Sequence, residues 1–362
     1  IKGRVDNPVW VSENSRKWQM VFETRSNEFL CAGYDGISHE IRAFCRDSLT
    51  TYNLQTRRRR SMRFRNHCPV ALTLGTNFMN PETGDIYAYE VRYDKDWKGP
   101  VTMARLDTAH LVWYPVSEQN LDMQMHHHCE WLDTLNGEFY IFGGFGDRRY
   151  NGSFTRFSLE RREWSACPEP SGDRIWPRYF SAMGYDPEEN ALYIYGGMGN
   201  ESGEQIVGRQ YFHDLHKVQL PDFTIEKKWS LDSPTERNTV AARNMVLDGE
   251  EHFYVLCYPE SETESELQLT RFAISDGSRE ELGNTIPIFS DKITTNANLF
   301  LDETLGKLIA IVEESRDDIS SSVKCYSIDF PPKPPLKEKA AGKRLPLQWI
   351  ILGLTVIAAG WG

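Results

Sequence analysis

Hydrophobic and polar residues alternate in short runs along most of the chain, and the runs end at glycine, asparagine or aspartate. The runs Glu138-Phe-Tyr-Ile-Phe142 and Ala191-Leu-Tyr-Ile-Tyr195 are clear examples. A period of two residues with such breaks is typical of β strands joined by turns. The pattern therefore predicts an all-β fold.

The strand pattern repeats along the chain. In two segments, an apolar strand ends in paired glycines and is followed by an alternating strand and a strand with a tryptophan. These segments hold Gly143, Gly144 and Trp164, and then Gly196, Gly197 and Trp229. Weaker copies on both sides bring the number of units to six, and units of four strands and ~40–50 residues are typical of β-propeller blades. The predicted blades span residues 17–60, 68–118, 126–168, 178–232, 240–284 and 296–330.

The sixth unit has no fourth strand, because its third strand runs into Pro331-Pro332. We expect residues 8–12 to complete this blade, with Trp10 at the place that Trp113, Trp164 and Trp229 hold in other units. Closing the ring in this way removes open sheet edges, which otherwise invite aggregation.

The paired glycines and the spaced tryptophans resemble the kelch motif. The resemblance is carried by residues 143, 144 and 164 and by residues 196, 197 and 229, and the unit around Tyr87–Trp113 shares part of it. Cys257-Tyr258 and Glu313 stand where glycines would be expected. The resemblance implies a six-bladed kelch-type β-propeller over residues 1–330.

The C-terminal part changes character. Residues 331–346 are rich in proline and charge and predict an extended tether. Residues 347–362 are uncharged and predict the start of a transmembrane helix that continues past Gly362, with Trp349 at the interface. A buried C-terminal helix is the alternative.

A kelch domain, a tether and one span resemble bacterial single-pass membrane sensors, some of which are transcriptional regulators. That resemblance implies a periplasmic, extracytoplasmic propeller. The lysines that precede the span would favour the alternative, a cytoplasmic propeller.

The net charge of −11 disfavours nucleic-acid binding by this region. The run Arg57–Arg60, with Arg63 and Arg65, is expected in an exposed loop between the first two units. The seven cysteines form no CxxC pair and are expected to be buried free thiols.

Two loops that follow the glycine pairs carry the residue types that bind acidic or carbohydrate-like ligands, since guanidinium groups pair with carboxylates and rings stack on sugars. Networks of salt bridges and turns between blades are the alternative for both loops. The candidate ligand-binding residues are Asp147, Arg148, Arg149, Tyr150, Asn200, Glu201, Gln205 and Arg209.

Other candidate chemistry is sparse. His126 and His128 point to one side of a strand and are weak candidates for a metal site. The neighbouring carboxylates Glu313 and Glu314 are expected to be solvated. No catalytic motif is present, and no cofactor is expected.

We therefore expect a non-enzymatic sensor domain that recognises a protein partner or a carbohydrate-like ligand and is anchored by one membrane span. A protein-docking scaffold and a propeller enzyme that acts on glycans are the alternatives.

Overall fold

The computed structural model of the protein describes residues 13–92, 99–231, 238–291, 293–317 and 320–336. Within these ranges the chain forms thirty β strands and two short 3-10 helices, Glu13–Ser15 and Gln205–Val207. The prediction of an all-β fold is confirmed.

The strands are numbered in chain order. The first ten are β1 (Gln19–Ser26), β2 (Cys31–Asp35), β3 (Glu40–Phe44), β4 (Ser48–Asn53), β5 (Arg59–Arg63), β6 (Asn77–Met79), β7 (Ile86–Tyr89), β8 (Met103–Asp107), β9 (Val112–Ser117) and β10 (Cys129–Asp133). The next ten are β11 (Glu138–Phe142), β12 (Phe145–Gly146), β13 (Arg149–Tyr150), β14 (Phe154–Ser158), β15 (Glu163–Ala166), β16 (Ser171–Gly172), β17 (Arg178–Tyr179), β18 (Ala182–Asp186), β19 (Ala191–Tyr195) and β20 (Met198–Gly199). The last ten are β21 (Gln210–Tyr211), β22 (Asp214–Gln219), β23 (Thr224–Ser230), β24 (Val240–Asp248), β25 (His252–Tyr258), β26 (Glu264–Ala273), β27 (Arg279–Phe289), β28 (Asn296–Asp302), β29 (Lys307–Glu314) and β30 (Ser321–Asp329).

Most strands belong to five large sheets. Sheet I is β2-β3-β4-β5, sheet II is β6-β7-β8-β9, sheet III is β10-β11-β14-β15, and sheet V is β28-β29-β30-β1. Sheet IV has nine strands and contains two antiparallel repeats, IVa (β18, β19, β22, β23) and IVb (β24–β27), with β16 at one edge. Two small sheets, β12-β13 and β17-β20-β21, lie in the loops.

The first strand of every repeat lies at the centre of the molecule. Strands β2, β6, β10, β18, β24 and β28 all contribute to the wall of one cavity, and β2 contacts β6, β10 contacts β18, and β24 contacts both β18 and β28. Antiparallel sheets that radiate from a common axis in this way define a β-propeller.

The number of separate sheets differs from the prediction. Met183 of β18 pairs in parallel with Asn244 of β24, and this bridge joins repeats IVa and IVb into one sheet. The described residues therefore form five large sheets, and the prediction of six separate ones is wrong in this respect. A contact between two inner strands is not encoded in the pattern of either strand, which is why the sequence did not indicate it.

The N-terminal segment closes the ring through different residues from those predicted. Strand β1 pairs antiparallel with β30, from Gln19 opposite Ser327 to Ser26 opposite Ser321. Residues 18–24 thus complete the last sheet, and the prediction that they open the first blade is wrong. Residues 8–12, including Trp10, lie outside the described residues.

Buried tryptophans lie between neighbouring sheets. Trp113 of β9 contacts Phe44 of sheet I, and its ring centre lies 5.7 Å from that of Phe44. Trp164 of β15 packs against Tyr89 of sheet II, and Trp229 of β23 packs against Phe253 of repeat IVb. Large rings fill the wedge that opens between sheets as they radiate from an axis.

The paired glycines make the turns after the second strands possible. Gly144 has φ 104°, and a Cβ atom there would lie 2.6 Å from the carbonyl oxygen of Met125. Gly197 has φ 101°, and its Cβ would lie 2.7 Å from the carbonyl oxygen of Tyr179. Only glycine fits both the backbone angle and the space.

The beginning of the predicted tether packs against the propeller. Lys333 donates its backbone N–H to the Ser15 carbonyl at 2.7 Å, and the Lys333 carbonyl accepts from Gly283 at 2.9 Å. No described helix has the length and apolar character needed to cross a membrane. Residues 347–362, where the transmembrane helix is predicted, lie outside the described residues, as do residues 337–346 of the tether.

Two predictions about polar residues are corrected. The arginine run does not lie wholly in a loop, because residues 59–63 form β5, the exposed outer strand of sheet I. Glu313 and Glu314 are buried rather than solvated, because β29 is covered on both faces by neighbouring sheets. The prediction that the cysteines are free thiols is confirmed, and all but the half-buried Cys167 are buried.

Candidate functional site

The two predicted binding loops lie side by side. Strands β12 and β13 form a hairpin with Asp147 and Arg148 at its tip, at φ 50° and 61°. Two consecutive residues with positive φ are typical of the tight turns that join antiparallel strands. The hairpin is bonded to the next loop because Tyr150 donates its N–H to the Gly203 carbonyl at 2.8 Å and Gln205 donates to the Arg148 carbonyl at 3.0 Å. We call residues 145–150 and 200–209 the loop platform.

Two of the predicted residues support the loop platform from inside. Tyr150 is 6 % exposed, and its ring packs against Phe145 and Tyr179 with ring centres 5.2 Å and 5.6 Å away. Asn200 is also 6 % exposed, and its amide donates to the carbonyls of Glu204 and Gly208 at 2.8 Å and 2.5 Å. Neither side chain is available to stack on or bond to a ligand.

The other predicted residues are exposed, and some are paired. Asp147 forms an ion pair with Arg92, Glu201 lies 3.9 Å from Arg174, and Arg209 lies 3.5 Å from Glu260. Gln205 is exposed at the start of the 3-10 helix.

Arg148 and Arg149 are exposed and form no ion pair with a described residue. Next to them Ile206 and Val207 are 95 % and 66 % exposed. The loop platform thus presents two unpaired cations beside an apolar tip.

Arg178 fixes the loop platform to the sheets beneath it. It is 1 % exposed, and its guanidinium donates to both carboxylate oxygens of Asp214 at 2.6 Å and 3.1 Å and to the Gly196 carbonyl at 3.0 Å. Its carbonyl accepts the N–H of Gly144. Burial alone would raise the pKa of Asp214, but Arg178 outweighs it and holds that pKa below its usual value. Nothing in the sequence pattern marked this pair, because the two residues are far apart along the chain.

The predicted metal candidates contact different partners. His126 donates to Nδ1 of His127 at 2.8 Å, whereas His128 lies between the Met125 carbonyl and the Tyr89 hydroxyl. Burial lowers the pKa of His126 to about 4. No group of three or more histidine, cysteine or acidic side chains in the described ranges is placed to hold a metal ion.

Buried charged groups lie at the propeller axis. Arg243 donates to the Asn296 amide oxygen at 2.6 Å and lies 4.0 Å from Glu130, and the Tyr89 hydroxyl donates to Glu130 at 2.6 Å. Burial would raise the pKa of Glu130, but Arg243, His128 and Tyr89 together lower it. Glu130 is therefore an ionised, satisfied carboxylate.

Glu313, in contrast to Glu130, has an environment that favours the protonated carboxyl. Its Oε1 accepts the N–H of Ala32 at 2.5 Å, while Oε2 has no hydrogen-bond partner among the described residues. Burial raises the pKa of Glu313 to about 8, although Arg243 opposes the shift. A proton on this carboxyl at neutral pH removes the cost of a buried charge.

Glu313 should make the protein less stable as the pH rises. The folded chain binds a proton that the unfolded chain releases near pH 4.5, so the contribution falls between about pH 4.5 and pH 8, by at most about 1.4 kcal/mol per pH unit. In the Glu313→Gln variant this contribution to the slope of unfolding free energy against pH should disappear. Urea unfolding at pH values from 5 to 8.5 measures the slope. The matched control is Glu303→Gln at an exposed position, which should keep the slope of the unchanged protein. Equal slopes for the unchanged protein and Glu313→Gln would contradict the assignment.

The fold and these surfaces together define a β-propeller whose loops form an exposed platform on one face. Comparison of the chain with protein-family models and with curated proteins gives no match.

Proposed function

We propose that the chain is a non-enzymatic recognition domain whose loop platform binds an acidic segment of a protein partner. The observation that carries this proposal is that Arg148 and Arg149 are exposed, form no ion pair among the described residues, and lie beside the exposed Ile206 and Val207. Guanidinium groups bind carboxylates, and an exposed apolar tip on a rigid loop is typical of protein contacts. Because Tyr150 is buried, its ring is not offered for a sugar to stack on.

In this proposal the recognition domain belongs to a membrane-anchored sensor. The ring in this proposal is of the kelch type, and the joined repeats IVa and IVb each contribute a first strand at the axis. Residues 331–346 would connect the ring to a single membrane span at 347–362, with the propeller in the periplasm and a signalling or regulatory part beyond. Flotation with lipid vesicles tests the anchor: the full chain should float, and a chain that ends at Leu336 should not.

The enzyme alternative has less support. A glycan-active enzyme needs a protonated carboxyl beside its substrate, and Glu313 is the described residue whose environment provides one. Glu313 does not line the axial cavity, whereas Glu130, which does, is ionised. A docking scaffold without signalling remains the second candidate, favoured by the apolar tip of Ile206 and Val207.

Charge reversal on the loop platform tests the proposed function. The probe is a synthetic peptide in which glutamate and leucine alternate, and binding to the full chain is measured by calorimetry. Arg148→Glu/Arg149→Glu should weaken binding by at least about 10-fold, because two charge-assisted contacts become repulsions. The matched control is Arg57→Glu/Arg58→Glu, which changes an equally exposed pair by the same charge and should leave the affinity within about 2-fold. Equal losses in the two variants, or no binding by the unchanged chain, would overturn the proposal.

A further inference from the structure

The axial cavity has a volume of about 360 Å³, which is within the range of small-molecule sites, ~300–1,000 Å³. Its wall comes from the later residues of the first strands, near the short turns that lead to the second strands. The loop platform follows second strands and therefore lies at the other end of the sheets. The cavity is thus a separate site.

The end of the axis near the loop platform is closed. His127 reaches across the axis and donates its Nε2–H to the Thr295 carbonyl, just before β28, at 2.8 Å. The Phe180 ring stacks on His127 with ring centres 4.1 Å apart. A ligand would therefore enter the cavity from the end that carries the short turns.

Aromatic rings line the open end on two opposite sides. Trp131 of sheet III stacks on Tyr185 of repeat IVa with ring centres 4.0 Å apart. Tyr34 of sheet I and Phe300 of sheet V form the other pair, with ring centres 6.0 Å apart. All four residues line the cavity. These rings give two opposite sides of the opening an apolar lining for a ligand that enters between them.

Deeper in the cavity, amide groups have unused hydrogen-bonding capacity. Asn298 is 5 % exposed and lines the cavity, yet its side-chain amide bonds to no described residue. Asn244 accepts the N–H of Leu299 at 3.4 Å through its oxygen, and its amide nitrogen bonds to none of the described groups. Both amides line the cavity, so their free donor and acceptor atoms are open to a ligand that enters it.

The charge in the cavity is already balanced. Glu130 is the carboxylate in the wall, and Arg243 lies 4.0 Å from it. A charged ligand would have to disturb this pair, whereas a neutral ligand would not. Amides offer both a donor and an acceptor, which suits the hydroxyl groups of a polyol.

We propose that the axial cavity binds a neutral sugar of one or two rings, with its apolar faces between the aromatic pairs and its hydroxyl groups on Asn298 and Asn244. This site goes beyond the proposed function of the loop platform and does not depend on it.

Calorimetry of the full chain tests the site with a defined panel of ligands. The panel contains glucose, galactose, mannose, N-acetylglucosamine, maltose and lactose as neutral sugars, with choline and glucuronate as charged comparisons. At least one neutral sugar should bind with one-to-one stoichiometry and a Kd of about 1 mM or tighter. Choline and glucuronate should bind at least about 10-fold more weakly. Failure of every neutral sugar, or tighter binding of choline, would overturn the proposal.

Two variants locate the sugar in the cavity. Asn298→Leu keeps the size of the side chain and removes its polar atoms, and Phe300→Ala removes one ring of the opening. Each should weaken sugar binding by at least about 10-fold, and the second keeps the test valid if the first does not fold. Arg148→Glu/Arg149→Glu should leave sugar binding unchanged, and Asn298→Leu should leave binding of the acidic peptide unchanged. Sugar binding that survives both cavity variants would place it elsewhere and overturn the proposal.

Discussion

Replacing Arg178 with methionine is expected to lower the free energy of unfolding by about 3–5 kcal/mol, because it leaves the carboxylate of Asp214 buried without its counter-ion. Arg178 is fully enclosed, donates to both oxygens of Asp214, and has its guanidinium 4.1 Å from the ring centre of Phe212. Asp214→Leu should cost a similar amount, since it leaves the buried guanidinium unpaired. Urea unfolding of the full chain measures both losses.

The double variant separates the ion pair from simple packing. Arg178→Met/Asp214→Leu removes both charges, so its loss should be smaller than the sum of the two single losses, by at least about 1 kcal/mol. The matched control is Arg161→Met, which breaks the exposed pair with Glu163 and should change stability by no more than about 1 kcal/mol. Additive losses in the double variant would show that the pair is not coupled and would contradict this account.

Trp18→Ala is expected to cost about 3–5 kcal/mol, as large aromatic truncations in cores do. Trp18 is buried just before β1 and packs among Leu282 and Ile286 of repeat IVb and Ile328 of sheet V. Its backbone N–H donates to the Asn284 side chain at 2.7 Å. The residue therefore fixes the closing strand between the last two sheets, and thermal and urea unfolding should both show the loss.

Two further chains test closure of the ring. Lys17→Ala at the neighbouring exposed position is the control and should stay within about 0.5 kcal/mol of the unchanged protein. A chain that begins at Asn27 lacks β1 and would leave one side of β30 unpaired, and such an open edge promotes association with other chains. We expect that chain to aggregate. A shortened chain that stays monomeric with unchanged stability would show that β1 does not close the ring.

The local pattern predicted what depends on local interactions. The second strands end at paired glycines because the backbone angles and nearby carbonyl groups at Gly144 and Gly197 exclude a Cβ atom. First strands end at aspartates such as Asp133, whose carboxylate accepts the N–H groups of Leu135 and Asn136 in the turn. Both features are visible in a single repeat, so they could be recognised from sequence.

The closing strand could not be assigned in this way. Both residues 8–12 and residues 18–24 carry a tryptophan and apolar residues in an alternating pattern. Trp18 lies next to Ile328, because the following residue, Gln19, is opposite Ser327. Phe157 in sheet III has the same relation to Trp164. Only the pairing register shows that Trp18 holds the place at which the sequence pattern predicts Trp10.

The first strands carry a sequence signal for the axial cavity. Glu130 and Met183 each stand three positions before the aspartate that ends a first strand, Asn77 stands three before Asn80, which directly follows β6, and Asn298 stands four before Asp302. Comparing this position between repeats would have collected the residues that line the axis. The same comparison could not have shown that His127 closes one end, because that contact joins opposite sides of the ring.

By itself the sequence determined the β strands, their turns and their repetition, because these depend on alternation and on residues close together in the chain. The tertiary structure decided which strand closes the ring, that Glu313 and Glu314 are buried, and how Arg178 meets Asp214. Those outcomes depend on both faces of each strand being covered by a neighbouring sheet. Such coverage arises only when distant repeats are brought together around one axis.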